Sequence, residues 1–575
     1  TLFRSYVPGE HEGRVRAEWE GSRVGSADPE AVLSGRSRSY AVFIPPPNVT
    51  DRLHLGHALN NTLQDVLVRA HRMMGFETLW MPGTDHAGIA TQTVVERRLK
   101  REEGKSRMDL GREAFVARVR AFKDEYEAAI TGQLRAMGCS CDWDRQRFTM
   151  DEVCTRAVRE AFFRLFRDRL LYRGKRLVNW DPVTQTALAD DEVEMEDVDG
   201  FFYYLRYPLV EKGPDGVHAP VTWTMLAKRG YPGAGSLATI PDGQAWVTVA
   251  TTRPETYLGD TAVAINPRDG RAAALRGLCV HLPLVGRVIP IVEDDYVVMP
   301  LGPGEDPEAA GVDPKAKYAT GFLKVTPAHD PNDWEIGVRH GLAVINVMAP
   351  DASISDKHGW TDVGGAEMFV GMPREIARRE VVNEFTRRGL LEEKKAYRHG
   401  VGHSYRSHAP IEPYLSDQWY VRVTDERLAG SALAAMAADQ RTGEAPEGTG
   451  SHEGDGALRF YPARYARTYE TWHRSIRDWC VSRQLWWGHR IPVWSLIPNV
   501  AGIKKGEMID DSEYVEAQFL DALEGSFRAY CDAAGVKDDV CLVRESPRQW
   551  WACPRTDAAA AALQALERVM SARLL

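Results

Sequence analysis

Between Ile44 and Gln92 the chain reads IPPPNVTDRLHLGHALNNTLQDVLVRAHRMMGFETLWMPGTDHAGIATQ, a stretch that few folds can accommodate. A short apolar run, Tyr40 to Ile44, ends on three prolines, which can continue neither a helix nor a sheet ladder. Leu59, Leu63, Val66, Leu67, Ala70 and Met74 then recur at helical spacing, predicting an amphipathic helix from near Leu53 to about Gly75. A second apolar run, Thr78 to Met81, leads into Pro82-Gly83-Thr84-Asp85-His86-Ala87-Gly88. Strand, loop, helix and strand in that order make a parallel unit, whose binding crevice lies at the carboxyl ends of its strands.

The residue types in that crevice suggest its chemistry. His54 and His57 fall on one face of the predicted helix's first turn, where unpaired backbone N–H groups already favour an anion. Two imidazoles at that end suit the phosphates of a nucleotide whose charge grows during transfer. Gly56 between them lets a flat base or ribose approach the backbone, and Asp85 could hold an ammonium group across the crevice. A lone HxGH would be better read as helix capping beside a solvated loop aspartate; the strand context favours the binding reading.

With its flanks, this stretch resembles a known family. PPPNVT-x-x-LHLGH followed by PGTDHAGIATQ is similar to the signature region of valyl-tRNA synthetases, a family of class I aminoacyl-tRNA synthetases. His54 to His57 stands where that class has its HIGH motif. Isoleucyl and leucyl relatives differ before the motif and in place of GTDHAG. One departure is Asp51, where the family has Gly: its carboxylate would sit near the phosphates, although Asp tolerates unusual backbone angles and can cap a helix. The resemblance implies that Thr50, His54, Gly56 and His57 bind ATP, with Thr50, His54 and His57 facing the triphosphate as the catalytic set. It also implies that Asn48 and Asp85 orient the α-amino group, while Pro46 and Trp487 close the pocket around the amino-acid side chain.

Composition bounds the remainder. The 575 residues are 44% hydrophobic and 27% charged, an ordinary globular balance that suggests several domains. No run approaches the roughly 18 apolar residues of a membrane span, and the first residues lack the apolar segment of a signal peptide. The formal net charge is −9, so contact with nucleic acid must use local patches. The eight cysteines include no CxxC pair and read as free thiols in a reducing cytosol. Basic residues from Arg97 to Arg107 read as a solvated helical face, and the densest cluster runs from Arg164 to Arg176.

After Asn179-Trp180-Asp181-Pro182 the pattern changes to short β-like runs: Phe201 to Tyr207, Ala245 to Thr251, Val288 to Val292 and Tyr296 to Met299. Thr251-Thr252-Arg253-Pro254-Glu255-Thr256 and Lys324-Val325-Thr326-Pro327-Ala328-His329-Asp330-Pro331-Asn332-Asp333 stand out. Either alone could be a capped turn with a salt bridge. Together they resemble the editing domain shared by valyl, isoleucyl and leucyl synthetases, which implies an editing site of Arg253, Thr256, Lys324, Asp330 and Asp333. Asp330 and Asp333, three apart, read as a carboxylate pair suited to holding an aminoacyl group and a water, with Asp333 a solvated residue of the cleft. From Tyr397 the α/β pattern returns, with family-like segments at Ser416 to Trp419 and Asp478 to His489.

The expected fold is α/β: a Rossmann-type catalytic domain interrupted by a mostly β editing domain. The divisions fall at 1–198, 199–397, 398–494 and 495–575, the last a connective segment. Helical runs are expected at Glu513 to Leu523 and Ala558 to Val569, and a Gly/Glu-rich loop from Thr442 to Ala457. No KMSKS sequence, the class's other nucleotide signature, occurs. The chain is therefore expected to be the amino-terminal portion of such an enzyme, incomplete for adenylation. By resemblance the enzyme is a cytoplasmic monomer that couples valine to its tRNA through valyl-adenylate and hydrolyses mischarged threonyl-tRNA. ATP with Mg²⁺ serves as substrate, and no protein-bound metal and no membrane contact are expected. The alternatives are an aminoacyl-tRNA hydrolase or tRNA-binding module, or an isoleucine-specific relative.

Overall fold

In the computed structural model, residues 7–237, 243–302, 306, 313, 315–442, 456–496, 524–546 and 549–572 are described. The expected Glu513 to Leu523 helix, and the Thr442 to Ala457 loop apart from its ends, lie outside them. The chain forms two compact units. The first comprises residues 1–172, 420–479 and 485–575; the second comprises 173–419 and 480–484. These limits stand beside sequence-based divisions at 198/199 and 397/398.

In the first unit, β1 (Ser39–Phe43) pairs in parallel with β2 (Glu77–Met81), joined by α1 (Leu55–Met73). The prolines after β1 end the strand, and α2 (Gly88–Glu103) follows the GTDHAG loop. Ala87, in the left-handed region at φ 41°, turns the chain into α2 without a side-chain cap. Ile44, Val49, Val68, Trp80, Ile130 and Leu134 form the core beneath the crevice.

α1 turns a different face inward than its apolar periodicity suggests. Leu59, Leu63, Val66, Leu67 and Met74 are exposed, while Asn61 and Val68 are the helix's buried residues. Polar anchors set the rotation. Gln64 accepts from the Trp80 indole N–H at 3.0 Å, Arg72 donates to Thr78 Oγ1 at 3.0 Å, and Asp65 accepts from the Ser140 backbone N–H at 3.1 Å. Asp51 caps no helix; it is exposed and accepts from the Arg52 N–H at 2.7 Å, while His54 is the N-cap of α1.

The second unit is built on an eight-stranded sheet. Its long member, β3 (Val193–Lys212), pairs antiparallel with β4 (Trp246–Thr251) and β9 (Leu391–Ser404). β5 (Ala262–Ile265) lies between β7 (Val288–Glu293) and β8 (Phe322–Val325), and β6 (Cys279–His281) joins β7 to β3. Leu205, Tyr207, Leu209, Val247, Val249 and Trp360 belong to its core. The expected strand at Tyr296 to Met299 is instead a turn. Asp294 accepts from the Tyr296 N–H at 3.0 Å through its side chain and from the Val297 N–H at 3.2 Å through its carbonyl, closing a loop that a ladder would have needed open.

Among the described residues, no helix is long and apolar enough to cross a membrane.

Candidate functional site

The crevice of the first unit is organised by a bridge between its two loops. The Val49 N–H donates to the Asp85 carbonyl at 3.2 Å, and the Asp85 N–H donates to the Pro47 carbonyl at 2.9 Å. Asn48 and Asp85 thereby face each other as bridge partners. Thr149 donates its hydroxyl to Asp85 Oδ1 at 2.8 Å and accepts from the His86 backbone N–H at 2.8 Å. Burial works against ionising Asp85, but the hydrogen bonds from His86 and Thr149 outweigh it and hold the carboxyl below its ordinary value. Asp85 therefore carries its charge at neutral pH.

Trp487 reaches the same loop from far along the chain. Its indole N–H donates to the His86 carbonyl at 2.9 Å across 401 residues, and its backbone N–H donates to Gln92 Oε1 at 3.2 Å. It is buried against Val95, Leu99 and Phe122. His489 contacts the Thr149 carbonyl at 3.0 Å through Nε2 and meets the His86 ring edge-on. Thr50 is half-buried close after Asn48, and Pro46 is exposed.

At the N-terminus of α1 the two histidines cap the helix reciprocally. His54 Nδ1 accepts from the Gly56 N–H at 3.1 Å, and His57 Nδ1 accepts from the His54 N–H at 3.2 Å. Their rings are 3.9 Å apart between centroids. Gly56 is required here: a Cβ would meet His54 Cε1 at 2.9 Å, displacing that ring. Burial, then the neighbouring His54, depresses the His57 pKa, so the ring is neutral at pH 7. With Nδ1 accepting, its proton sits on Nε2.

The second unit holds a cleft of about 490 Å³ lined by Thr251, Arg253, Thr256, Lys324, His329, Asp330 and Asp333, with Tyr318 and Tyr397 among its aromatic members. All five sequence-predicted residues of the second site line it. Asp330 is the N-cap of α3 (Pro331–His340), accepting from the Asn332 N–H at 2.8 Å and the Asp333 N–H at 3.3 Å.

Asp333 is not solvated, as the sequence suggested; it is 6% exposed, and it accepts from the Thr326 N–H at 2.8 Å. Burial, reinforced by the Asp330 charge, pushes its pKa up to about 7. The cause is local: the turn after β8 folds Asp333 back onto Thr326.

Lys324 is also sequestered. Its ammonium donates to Asp260 Oδ1 at 3.0 Å and contacts Thr326 Oγ1; Asp260 accepts from Tyr207 OH at 2.7 Å. Thr256 donates its hydroxyl to the Arg253 carbonyl at 3.0 Å.

Arg253 is held by an ion-pair network. It contacts Glu412, approaches Glu255 at 3.3 Å and donates to the His329 carbonyl at 3.0 Å. Arg374 also pairs with Glu412, at 2.5 Å, and Glu255 receives two hydrogen bonds of 2.8 Å from Arg378. Removing one partner of such a buried set strands the others' charges. Glu412→Ala is therefore expected to destabilise this unit by about 3 kcal/mol, read as a drop in urea midpoint at unchanged m-value. A shift within error would show that the arginines find other partners.

Asp260, Glu412 and Thr149 lie outside the motifs read from the sequence, whereas His329 and His489 lie within quoted segments but carry no assigned role there.

Residues 18–522 match the family described as tRNA synthetases class I (I, L, M and V), and the chain belongs to that family. Among its relatives is the valine–tRNA ligase of Treponema denticola, 44% identical over 495 residues, which covers 86% of this chain and 47% of that protein. That of Geobacter sulfurreducens is 46% identical over 493 residues, covering 86% and 47%. That of Chlamydia caviae is 44% identical over 491 residues, covering 85% and 44%. The chain thus spans less than half the length of these relatives.

Proposed function

We propose that this chain carries the ATP and valine sites of a valine–tRNA ligase together with a hydrolytic cleft that clears threonyl-tRNA. The observation that carries the first part is the meeting of Asn48, Asp85 and Trp487 around one loop, although Trp487 lies 401 residues from its His86 partner. The relatives that match at 44–46% identity are themselves named valine–tRNA ligases.

Asp85, ionised, takes the substrate ammonium, with Asn48 beside it; Trp487 and Pro46 bound the apolar side chain. Thr50, His54, Gly56 and His57 receive ATP, which arrives with Mg²⁺ as substrate. A valine carboxylate oxygen bonds to the α-phosphorus as the bond to the β-phosphate oxygen breaks, and pyrophosphate leaves with the electron pair. The protein supplies position and charge stabilisation, not a nucleophile. A tRNA 3′-terminal ribose hydroxyl oxygen then bonds to the valyl carbonyl carbon, giving up its proton, as the bond from that carbon to the phosphate oxygen breaks and AMP leaves.

The test is amino-acid-dependent pyrophosphate exchange by the full-length protein. Exchange driven by valine far above isoleucine is expected; isoleucine-driven exchange would sink the valine assignment. Thr149→Val removes the hydroxyl that positions Asp85, so the KM for valine should rise about tenfold with kcat little changed. An unchanged KM would separate Asp85 from ammonium binding.

The editing part follows from the chemistry of the substrates. An apolar pocket rejects an added hydroxyl only about 100-fold, and the handful of cases on which that figure rests includes this enzyme type, so a second sieve is needed. The domain from 199 to 397 is read as that sieve. In its cleft, Asp330 takes the ammonium of the threonyl ester. Lys324, through Thr326, sets the polar wall that accepts threonine's hydroxyl, with Thr256 and Arg253 holding the opposite turn. Asp333 takes a proton from water as the water oxygen bonds to the ester carbonyl carbon. The carbon–oxygen bond to the ribose then breaks, and the ribose oxygen takes the proton, freeing threonine. Tyr318 and Tyr397, with ring centroids 4.9 Å apart, offer flat faces to the terminal base. A chain acting as an aminoacyl-tRNA hydrolase alone would deacylate without any exchange activity.

A further inference from the structure

The lining of the cleft includes a buried donor that no group among the described residues satisfies. His329 is 1% exposed, and its Nε2 accepts from the Val347 N–H at 3.0 Å. Nε2 therefore has no proton, and the neutral ring must carry its proton on Nδ1. Among the described residues, His329 Nδ1 is nonetheless a buried atom without a partner. An orphaned buried N–H costs on the order of 1–3 kcal/mol, so such a group persists where an acceptor arrives from outside.

His329 lines the cleft alongside Asp330 and Asp333. The His329 backbone N–H donates to the Thr326 carbonyl at 2.9 Å, and the Asp333 carboxylate accepts from the Thr326 N–H at 2.8 Å, so both side chains are hung on the same turn. Arg253 pins the His329 carbonyl from the other side at 3.0 Å. The ring cannot serve as a base. Burial, followed by the charges of Arg253 and Lys324, lowers its pKa to about 3, and its accepting nitrogen is already occupied by Val347.

We propose that His329 is a catalytic hydrogen-bond donor of this cleft, its Nδ1–H binding the ester carbonyl oxygen and stabilising the negative charge that develops there as water adds. The assignment rests on the hydrolytic reading of the cleft above. The protonated Nδ1 and the Asp333 carboxylate then have complementary tasks: one receives charge at oxygen, the other removes a proton from the attacking water.

Two substitutions separate this role from packing. In His329→Asn the amide NH₂ occupies roughly the place of Nδ1–H and keeps the donor. In His329→Gln the longer side chain places its amide near Nε2, keeps an acceptor for Val347 and removes the Nδ1 donor. Deacylation of threonyl-tRNA is measured with the full chain, beside thermal unfolding of each variant. The expected result is a loss of about 100-fold in kcat for His329→Gln with KM within about threefold, and retention within about tenfold for His329→Asn. Parental kcat in His329→Gln would overturn the assignment, and so would equal losses in both variants, which would mark the ring as packing alone. If the parental chain itself leaves threonyl-tRNA intact, the hydrolytic reading falls and this role falls with it.

Discussion

Asp333→Asn is expected to lower the proposed hydrolysis of threonyl-tRNA by about 1,000-fold and to make its unit more stable at neutral pH. Both effects come from one buried carboxyl. The side chain is 6% exposed beside Asp330, and together these hold its pKa at about 7. A carboxylate with that pKa is half ionised near pH 7, where a general base works best. The parental rate should therefore rise with pH through about 7 to a plateau, and Asn can take no proton.

The sign of the stability effect follows from proton counting. Unfolded, the Asp carboxyl ionises at its ordinary value of 3.8; folded, it ionises near 7. Between those values the native state holds more protons than the unfolded state, so stability falls as pH rises through that window and stays lowered above it. A tenfold difference in proton affinity between the two states is worth about 1.4 kcal/mol, so the cost above pH 7 is on the order of a few kcal/mol. Asn avoids that cost and still offers an oxygen to the Thr326 N–H. Thermal unfolding of both proteins from pH 4 to 8 should give curves that converge at the acid end and separate upward. A variant that deacylates at the parental rate would remove Asp333 from the chemistry; curves that stay parallel would mean the carboxyl is ionised as readily folded as unfolded.

The sequence revealed what is local and periodic, and concealed what is distant or set by rotation. β1 and β2 were visible as apolar runs stopped by prolines and by a Pro-Gly turn, because both signals act over a few residues. The five cleft residues were legible because they lie on two compact motifs. Thr149, Asp260 and Glu412 were not, since each matters only through a partner brought up by folding: Asp85 at a separation of 64 residues, Lys324 at 64, Arg253 at 159. The apolar stripe of α1 misled for another reason. Helical spacing shows that a face exists, but the choice of inward face was made by polar anchors from Trp80, Thr78 and Ser140. Burial of Asp333 was equally hidden, because D-x-x-D spacing does not tell whether the turn exposes its second carboxylate or folds it back.

His57→Ala in the full-length protein will lower the rate of valyl-adenylate formation about 100-fold while leaving the KM for valine within about threefold. The geometry of α1 supplies the reason. His57 Nδ1 is occupied by the His54 N–H, so the ring's proton is fixed on Nε2; burial and His54 keep the ring neutral. A neutral donor at a helix N-terminus binds weakly to a phosphate in the ground state and more strongly as charge builds on the departing pyrophosphate. In the proposed site valine is held at Asp85 and makes no use of that donor, so its affinity should barely move. Alanine also deletes half of the reciprocal cap, at about 1 kcal/mol, and fraying of the helix would by itself lower the rate. His57→Gln distinguishes the two causes. Glutamine at this third helical position can reach back to the His54 N–H through its carbonyl oxygen while its amide keeps a donor. Gln should therefore restore the thermal midpoint and recover most of the rate. If Gln restores the midpoint but leaves the rate as low as Ala does, the imidazole itself is required. If Ala raises the KM for valine strongly at unchanged kcat, His57 belongs to the amino-acid pocket and not to the phosphates.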